Sequence, residues 1–414
     1  MSGKNGNFSR RDFIKSAGAA GLGSALIPLT SLTQAHAGAS TKMPQQMIVP
    51  KRPFGKTGVN VSILSLGGVL RSSDQLVFRQ ALKLGVTYWD TADSYGRGKN
   101  EKAIGKYFAK FPNDRKKVFL VTKAGTSDPQ KLTQKLNTSL QRMNTSYVDL
   151  YFIHYVKDVK KELTDAVKTW AENAKAEGKI RFFGFSAHKN MENSMLAGAK
   201  LGWIDGIMMS YNYRLMVKNK MKRAVDACVK AGIGLTAMKT QAAFTANFYA
   251  SIGSETDDAL EMTENFLKKG YTAEQAKLKV VWENPNIASI CSAMPNMTIL
   301  QANVAAALKR KNLSKGDKQR LEQYAQQTAP GYCAGCANIC ESAVNLDVPI
   351  SDILRYSMYN HGYGDRDAAL RLFDTLPTGV KANILKADYS KAEKYCPQKV
   401  QIGKVLKKAH EELA

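Results

Sequence analysis

Short apolar runs alternate with amphipathic segments along most of the chain. Two of the runs, residues 151–153 and 207–209, are continuously apolar, which is typical of parallel strands covered on both faces. Eight such runs begin near Val61, Thr87, Val118, Tyr147, Ile180, Gly206, Gly232 and Ile287. Between them, helical spacing places Leu163, Ala166, Val167, Trp170, Ala171 and Ala174 on one face, and Met221, Ala224, Val225, Cys228 and Val229 on another. This pattern predicts an α/β fold, a (β/α)8 TIM barrel over residues 50–312.

The chain is long enough for a second domain and carries an unusual charge. It has 414 residues, of which 44% are hydrophobic and 23% charged, and these values are ordinary for a globular protein. Sixty basic residues against 35 acidic ones give a formal net charge of +25, which favours anionic partners. No basic-aromatic module is evident, so we expect no nucleic-acid partner. An acidic protein is the partner that this charge favours.

The amino-terminal segment predicts export. Residues 9–15 contain the pair Arg10-Arg11 and resemble the twin-arginine signal, and a weakly apolar run follows over residues 17–32. Ala35 and Ala37 are the small residues that a signal peptidase reads, so we predict a signal peptide over residues 1–37 and a periplasmic protein. The alternative is a cytosolic protein with a chance arginine pair. Elsewhere no apolar run approaches the ~20 residues of a membrane span, so we expect no integral membrane segment in the mature protein.

Four chemically active residues follow predicted strands. Asp90 ends one strand, and Tyr95 lies five positions later, before Gly96. Lys123 and His154 end the next two strands. Each residue alone is more often a strand-end hydrogen-bonding group than a catalyst. Since strand ends converge at one face of a parallel barrel, the set predicts a single proton-handling site.

These residues, within segments 90–96 and 150–154 and at Lys123, resemble the catalytic tetrad of the aldo-keto reductases. The resemblance covers about residues 52–307 and includes the segments 55–58, 66–68 and 184–186. It implies that a reduced nicotinamide passes hydride to a small carbonyl substrate. The reverse reaction would oxidise a small alcohol. By the same resemblance Tyr95 gives the oxygen its proton, His154 orients the substrate, and Lys123, paired with Asp90, lowers the pKa of Tyr95.

The resemblance also implies an NADP(H) site, but the sequence departs from the family pattern there. The expected cofactor-binding residues are Ser186, Lys239 and Asn303. Ala187 stands where the family usually has an Asn for the carboxamide, and Met208 aligns with an expected Gln. Segment 294–303 resembles the dinucleotide-phosphate loop but has no Arg or Lys. NADP(H) is therefore one possible cofactor, and Lys239 either binds an anion or is solvated.

A cysteine-rich segment follows the barrel. Cys333, Cys336 and Cys340 are closely spaced, and Cys396 precedes a proline, which resembles iron–sulfur ligation. Residues 313–414 resemble the extension of exported aldo-keto reductases with one [4Fe–4S] cluster, which implies a small all-α C-terminal iron–sulfur domain. A structural zinc site and disulfides are the alternatives. The other two cysteines, Cys228 and Cys291, are predicted to be inert core thiols.

Together these features predict an exported oxidoreductase. It would interconvert a carbonyl and an alcohol at the tetrad and transfer electrons through a C-terminal [4Fe–4S] cluster, with an acidic redox protein as partner. The alternative is a non-catalytic binding module with a vestigial site, whose four C-terminal cysteines hold a structural metal.

Overall fold

A computed structural model describes residues 48–68, 75–241, 248, 265–266, 268–309 and 312–414. The predicted export signal, residues 1–37, lies outside these ranges. None of the helices in the described ranges combines the length and the hydropathy that a bilayer crossing needs.

Eight parallel strands close into a barrel, which confirms the predicted barrel fold. A hairpin of β1 (Lys51–Pro53) and β2 (Asn60–Ser62) precedes them. The barrel strands are β3 (Leu64–Gly67), β4 (Tyr88–Asp90), β5 (Phe119–Ala124), β6 (Val148–Ile153), β7 (Ile180–Ala187), β8 (Gly206–Ser210), β9 (Gly234–Met238) and β10 (Ser289–Ala293). They pair in sequence order, and β10 closes the ring between β9 and β3.

The first predicted strand is divided in the structure. The run that begins near Val61 forms β2 of the hairpin and then, after Ile63, the barrel strand β3. Ser62 Oγ causes part of this break, because it donates to Leu64 O at 2.8 Å and accepts from the backbone N–H groups of Thr87 and Tyr88 at 3.0 Å. The other seven strands begin at or close to the predicted positions.

Helices surround the barrel. They are α1 (Gln75–Lys83), α2 (Lys99–Lys110), α3 (Pro129–Arg142), α4 (Val159–Glu162), α5 (Asp165–Ala176), α6 (Met191–Gly198), α7 (Asn219–Lys230), α8 (Ala273–Trp282) and α9 (Met297–Leu308). The predicted face of α5 is buried at Val167, Trp170, Ala171 and Ala174, but the prediction is wrong for Ala166, which is exposed. On α7 the prediction is wrong for Val229, which is 40% exposed because it lies beyond the buried stripe that ends at Cys228.

Aromatic side chains fill the amino-terminal half of the barrel. Phe54, from the hairpin, is fully buried against Tyr88 and Phe119, with ring centroids 6.3 Å and 5.6 Å away. Gly234 leaves room for it, since a Cβ there would stand 2.5 Å from the Phe54 ring. With this end packed, the carboxyl ends of the strands are the side at which a substrate can enter.

The chain after the barrel is helical. Its helices are α10 (Lys315–Gln327), α11 (Ala337–Cys340), α12 (Ile350–His361), α13 (Arg366–Asp374), α14 (Thr378–Lys386), α15 (Ser390–Tyr395) and α16 (Ile402–Leu413). Ser314 and Asp317 form a capping box that starts α10. The helices from α11 onward share an apolar core that includes Ile353, Phe373 and Leu406. We call residues 329–414 the C-terminal module.

Candidate active site

The four predicted catalytic side chains converge at the carboxyl ends of β4, β5 and β6. Asp90 is the last residue of β4, Lys123 lies one residue before the end of β5, and His154 follows β6 directly. Tyr95 begins a short 3₁₀ turn after β4. Neighbouring parallel strands therefore bring residues distant in sequence to one site, as the strand-end argument requires.

Lys123 and Asp90 form a buried ion pair. Lys123 Nζ lies 2.6 Å from Asp90 Oδ1 and 2.7 Å from Oδ2, and it also donates to Thr91 O at 2.7 Å. Lys123 is 0% exposed and Asp90 3%. Burial raises the pKa of Asp90, while the Lys123 charge and a hydrogen bond from the Cys291 thiol oppose that rise. These contacts fix the Lys123 ammonium in place beside Tyr95.

Tyr95 lies between Lys123 and His154. Lys123 Nζ is 5.0 Å from the centroid of the Tyr95 ring, and the His154 ring centroid is 5.7 Å from it in an edge-on arrangement. Burial and the Asp90 carboxylate raise the pKa of Tyr95 well above its ordinary value. The net shift is thus opposite in direction to the lowering expected from Lys123, because burial of the phenol and the Asp90 carboxylate dominate it. Tyr95 is a neutral phenol that can donate a proton.

His154 is a neutral imidazole held by stacking. Its ring lies 3.5 Å from that of Tyr155, with only 14° between the planes, and the side chain is 4% exposed. Burial, then the charges of Lys123 and Arg355, lower its pKa well below the ordinary value. Among the described residues its Nδ1 has no hydrogen-bond partner. A neutral His154 can donate or accept one hydrogen bond at a substrate oxygen.

The three residues predicted to bind the cofactor lie on different sides of the barrel mouth. Ser186 Oγ accepts the Tyr155 backbone N–H at 3.2 Å. Asn303 donates to Ser292 Oγ at 3.0 Å and accepts from Gln241 Nε2 at 3.3 Å. Lys239 follows β9 and faces the C-terminal module. Ser186 and Asn303 are thus engaged in hydrogen bonds within the protein.

The C-terminal module covers the tetrad. Arg355 of α12 places its guanidinium carbon 5.2 Å from the Tyr155 ring centroid and 5.7 Å from that of Tyr359, and Lys239 Nζ is 5.8 Å from Tyr359. In the described ranges, the cavity between Lys239 and Arg355 measures about 20 Å³. Small-molecule sites usually offer roughly 300–1,000 Å³. The space between Lys239 and Arg355 therefore does not itself hold a dinucleotide, and none of the four tetrad residues lines it.

The module is joined to the barrel by polar contacts near α6. Lys189 Nζ lies 2.7 Å from Asp352 Oδ2 and 3.1 Å from Glu341 Oε1. The backbone N–H of Asn190 donates to Gly335 O at 2.7 Å. Asp352 also accepts from Arg355 at 2.7 Å, so the ion pairs that join the module to the barrel also orient the residue above the tetrad.

The four C-terminal cysteines are gathered in one place, and all six cysteines of the chain are free. Burial, followed by the charges of Cys333 and Cys396, raises the pKa of Cys336 to about 12. Burial, followed by the charge of Cys333, raises the pKa of Cys340 to about 12. In the described part of the chain, no group of three or more His, Cys, Asp or Glu side chains is arranged to hold a single metal ion.

Three residues at the site were not identified from the sequence. Cys291 of β10 lies against Asp90, and burial and Asp90 raise its pKa well above the ordinary value. Arg355 and Tyr155 cover the site from above. The signal for Arg355 is its position on α12, where every residue from Ile350 to Met358 is buried. A buried arginine requires a partner for its charge, and this requirement makes Arg355 a candidate site residue.

Comparison with known proteins agrees with this geometry. Residues 66–325 match the family model described as "Aldo/keto reductase family". The chain is 25% identical to the Bacillus subtilis oxidoreductase YqkF, over 67% of this chain and 97% of that protein. It is 36% identical to the Escherichia coli methylglyoxal reductase YeaE, but only over 28% of this chain and 39% of that protein.

Solved structures show the same fold. The aldo-keto reductase AKR11C1 from Bacillus halodurans aligns with a TM-score of 0.52 at 21% identity, covering 67% of this chain and 96% of that one. A Klebsiella pneumoniae aldo-keto reductase in complex with NADPH gives 0.52 at 21% identity, with 68% and 96% covered. Because the family model spans more than half of the sequence and the closed barrel carries the four convergent side chains, this chain belongs to the aldo/keto reductase family of oxidoreductases.

Proposed function

We propose that this protein interconverts a carbonyl and an alcohol at the site formed by Asp90, Tyr95, Lys123 and His154. The observation that carries the proposal is the convergence of a neutral phenol, a neutral imidazole and a fixed ammonium at one buried point. Tyr95 gives the forming alkoxide its proton, and His154 hydrogen-bonds the same oxygen. Lys123, held in position by Asp90, places an ammonium beside Tyr95 that favours negative charge on the oxygen in the transition state.

A tyrosine substitution tests this proposal. With the full chain, Tyr95→Phe should lower carbonyl reduction by about 10²–10⁴-fold, the usual contribution of general acid catalysis. Tyr151→Phe is the matched control. Its buried phenol lies on β6, two strands from β4, and packs against Trp170; its hydroxyl has no partner among the described residues, so its removal should leave the activity unchanged. Equal activity of the wild type and Tyr95→Phe would show that the phenol is not the acid.

The source of the two electrons is a further part of the proposal. Relatives support NADP(H): the Schizosaccharomyces pombe aldo-keto reductase yakc carries NADP(+) in its name and is 28% identical over 44% of this chain and 54% of its own. The cavity beside Lys239 is too small for that group, so no step is derived from it. Titration of the full chain with NADPH, followed by fluorescence, tests the point. Saturable binding would favour the nicotinamide source.

We further propose that Cys333, Cys336, Cys340 and Cys396 hold one [4Fe–4S] cluster. The support is their mutual proximity, with Cys340 and Cys396 buried and Cys333 and Cys336 half-buried, and the softness of thiolate donors. A cluster held by these four cysteines would supply one-electron transfer. An acidic redox protein would be the electron donor that matches a chain of net charge +25.

Metal analysis of anaerobically purified protein tests the cluster. We expect about four irons and four sulfides per chain, as the cluster type requires. Cys396→Ser should lose them, whereas Cys228→Ser, a buried thiol on α7, should keep them. Zinc in place of iron would favour a structural metal. That result, together with no carbonyl reduction, would favour a binding module with a vestigial site.

Export belongs to the same proposal. The paired Arg10 and Arg11 and the small residues at Ala35 and Ala37 support a twin-arginine signal and a periplasmic location. This route carries folded proteins, so a cofactor inserted in the cytosol would travel with the chain. Fractionation of cells that express the full chain tests it: Arg10→Lys combined with Arg11→Lys should move the protein from the periplasm to the cytoplasm.

A further inference from the structure

A polar chamber separates the tetrad from the cysteines. It lies between the carboxyl ends of β7 to β9 and helix α12 of the C-terminal module. Its lining includes His188, Ser210, Lys239, Tyr332, Cys333 and Arg355. Tyr155 connects the chamber to the tetrad, since its ring stacks on His154 and lies 5.0 Å from that of His188.

The chamber holds more positive than negative charge. Arg355 is paired with Asp352 at 2.7 Å, but its Nε is buried without a hydrogen-bond partner in the described structure, and the side chain is 9% exposed. Lys239 forms no ion pair with any described residue. Burial and the charge of Arg355 lower the pKa of Lys239 well below the ordinary value. An anion in the chamber would accept from the unused Arg355 donor and would favour the charged form of Lys239.

The backbone is strained where it presents these groups. Lys239 has φ +57° and Tyr155 has φ +64°, the left-handed region that residues with a Cβ rarely adopt. Hydrogen bonds hold both: Asn212 Nδ2 donates to Lys239 O at 3.2 Å and to the Tyr332 hydroxyl at 2.7 Å, and the Tyr155 N–H donates to Ser186 Oγ. Strain maintained by surrounding structure is a mark of a functional position.

The size of the chamber selects the kind of anion. A cavity needs about 10–15 Å³ to admit one water molecule, so about 20 Å³ admits one or two atoms of that size. This matches the oxygens of a carboxylate and excludes a sugar or a ring. The alternative role for Lys239 is to balance the charge of the Cys333 thiolate, which lies close enough to influence its pKa.

We infer that Lys239 and Arg355 form a binding site for the carboxylate of the substrate, so that the substrates are small oxo acids and the corresponding hydroxy acids. The inference rests on the proposed function, because it requires the carbonyl of the same molecule to reach the tetrad past Tyr155, whose ring contacts both His188 and His154. His188 and Ser210 supply further hydrogen-bonding groups in the chamber. A phosphate of a bound cofactor would satisfy the same donors, and the two sources can be separated experimentally.

Calorimetric titration of the full chain tests the site without requiring turnover. The probes are pyruvate, acetoacetate and levulinate, each compared with its uncharged methyl ester, and inorganic phosphate. We expect at least one oxo acid to bind, and its ester to bind about 10- to 100-fold more weakly, the effect of losing a charged hydrogen bond. Lys239→Gln should weaken the acid by a similar factor and leave the ester unchanged.

Lys277→Gln is the matched control. Lys277 is also a buried lysine beside a tyrosine, with Nζ 4.9 Å from the Tyr324 ring, and its substitution should not change oxo-acid binding. Tyr95→Phe should keep oxo-acid binding even though it loses turnover, so failure of the chemistry and failure of this site are distinguishable.

Three results would overturn the inference. Equal binding of an acid and its ester would show that the carboxylate is not recognised. If Lys239→Gln bound the oxo acid as tightly as the wild type does, Lys239 would be a counter-charge for the cysteines and not part of a carboxylate site. Binding of phosphate but of none of the oxo acids would assign the site to a cofactor phosphate instead.

Discussion

Gly335 controls how closely the C-terminal module packs on the barrel. It has φ +81°, and a Cβ at this position would stand 2.4 Å from the backbone oxygen of His188. Gly178 has a similar φ of +70°, but nothing lies within 4 Å of a Cβ there. Gly335→Ala and Gly178→Ala therefore share the backbone strain, and only the first adds a clash with an atom that cannot rotate away.

The expected magnitudes follow from this difference. The left-handed conformation costs a residue with a Cβ about 1–2 kcal/mol, so Gly178→Ala should reduce the free energy of unfolding by that amount. Overpacking against backbone adds about 1–3 kcal/mol, so Gly335→Ala should lose about 2–5 kcal/mol of the free energy that holds the module on the barrel. The Asn190 N–H bond to Gly335 O, 2.7 Å long, would weaken with it.

Urea denaturation can assign the loss to the correct part of the molecule. All four tryptophans lie in the barrel region, at Trp89, Trp170, Trp203 and Trp282. Tryptophan fluorescence therefore reports the barrel, while far-ultraviolet circular dichroism reports the helices of both parts. In Gly335→Ala the dichroism transition should begin at lower urea than the fluorescence transition. Equal shifts in the two glycine variants, by both probes, would refute the close approach at His188.

Three further predictions follow from buried charges and thiols. Lys123→Met should cost about 3–5 kcal/mol in urea unfolding, because it leaves the Asp90 carboxylate buried without its partner; a loss below about 1 kcal/mol would contradict the ion pair. Burial opposes ionisation of Asp352, but Arg355 and Lys189 hold its folded pKa below the ordinary value. Its stabilisation is therefore present above about pH 4 and lost as pH falls through the folded pKa, so the thermal midpoint of Asp352→Asn should be lower at neutral pH and should change less in acid. Cys228, fully buried with its pKa raised by burial to about 12, should resist iodoacetamide in the native protein and react only after denaturation, as peptide mapping would show.

Local sequence pattern was sufficient for the barrel and for the position of the tetrad. The continuous apolar runs mark strands buried on both faces, and a titratable residue at the end of each of three successive runs places those residues at one rim. The parallel order of β4, β5 and β6 then brings Asp90, Lys123 and His154 together, as expected. These inferences succeed because side-chain period and strand direction are local properties of the chain.

Other features depended on contacts that no local pattern encodes. Ser62 divides the first strand through hydrogen bonds to residues 87 and 88, and the apolar run around it gives no indication of that break. The direction of the Tyr95 pKa shift is set by the burial of its phenol and by the nearby Asp90 carboxylate, both of which depend on tertiary packing.

The sequence by itself determined the fold class, the four side chains at the barrel rim and the separate cysteine-rich segment. Only the tertiary structure decided that α12 lies over that rim, with Arg355 above Tyr155 and facing Lys239. The physical reason is that strands and helices are specified by the periodicity of neighbouring residues. The packing of the C-terminal module on the barrel depends instead on shape and charge matched between segments more than a hundred residues apart, such as the Lys189–Asp352 pair.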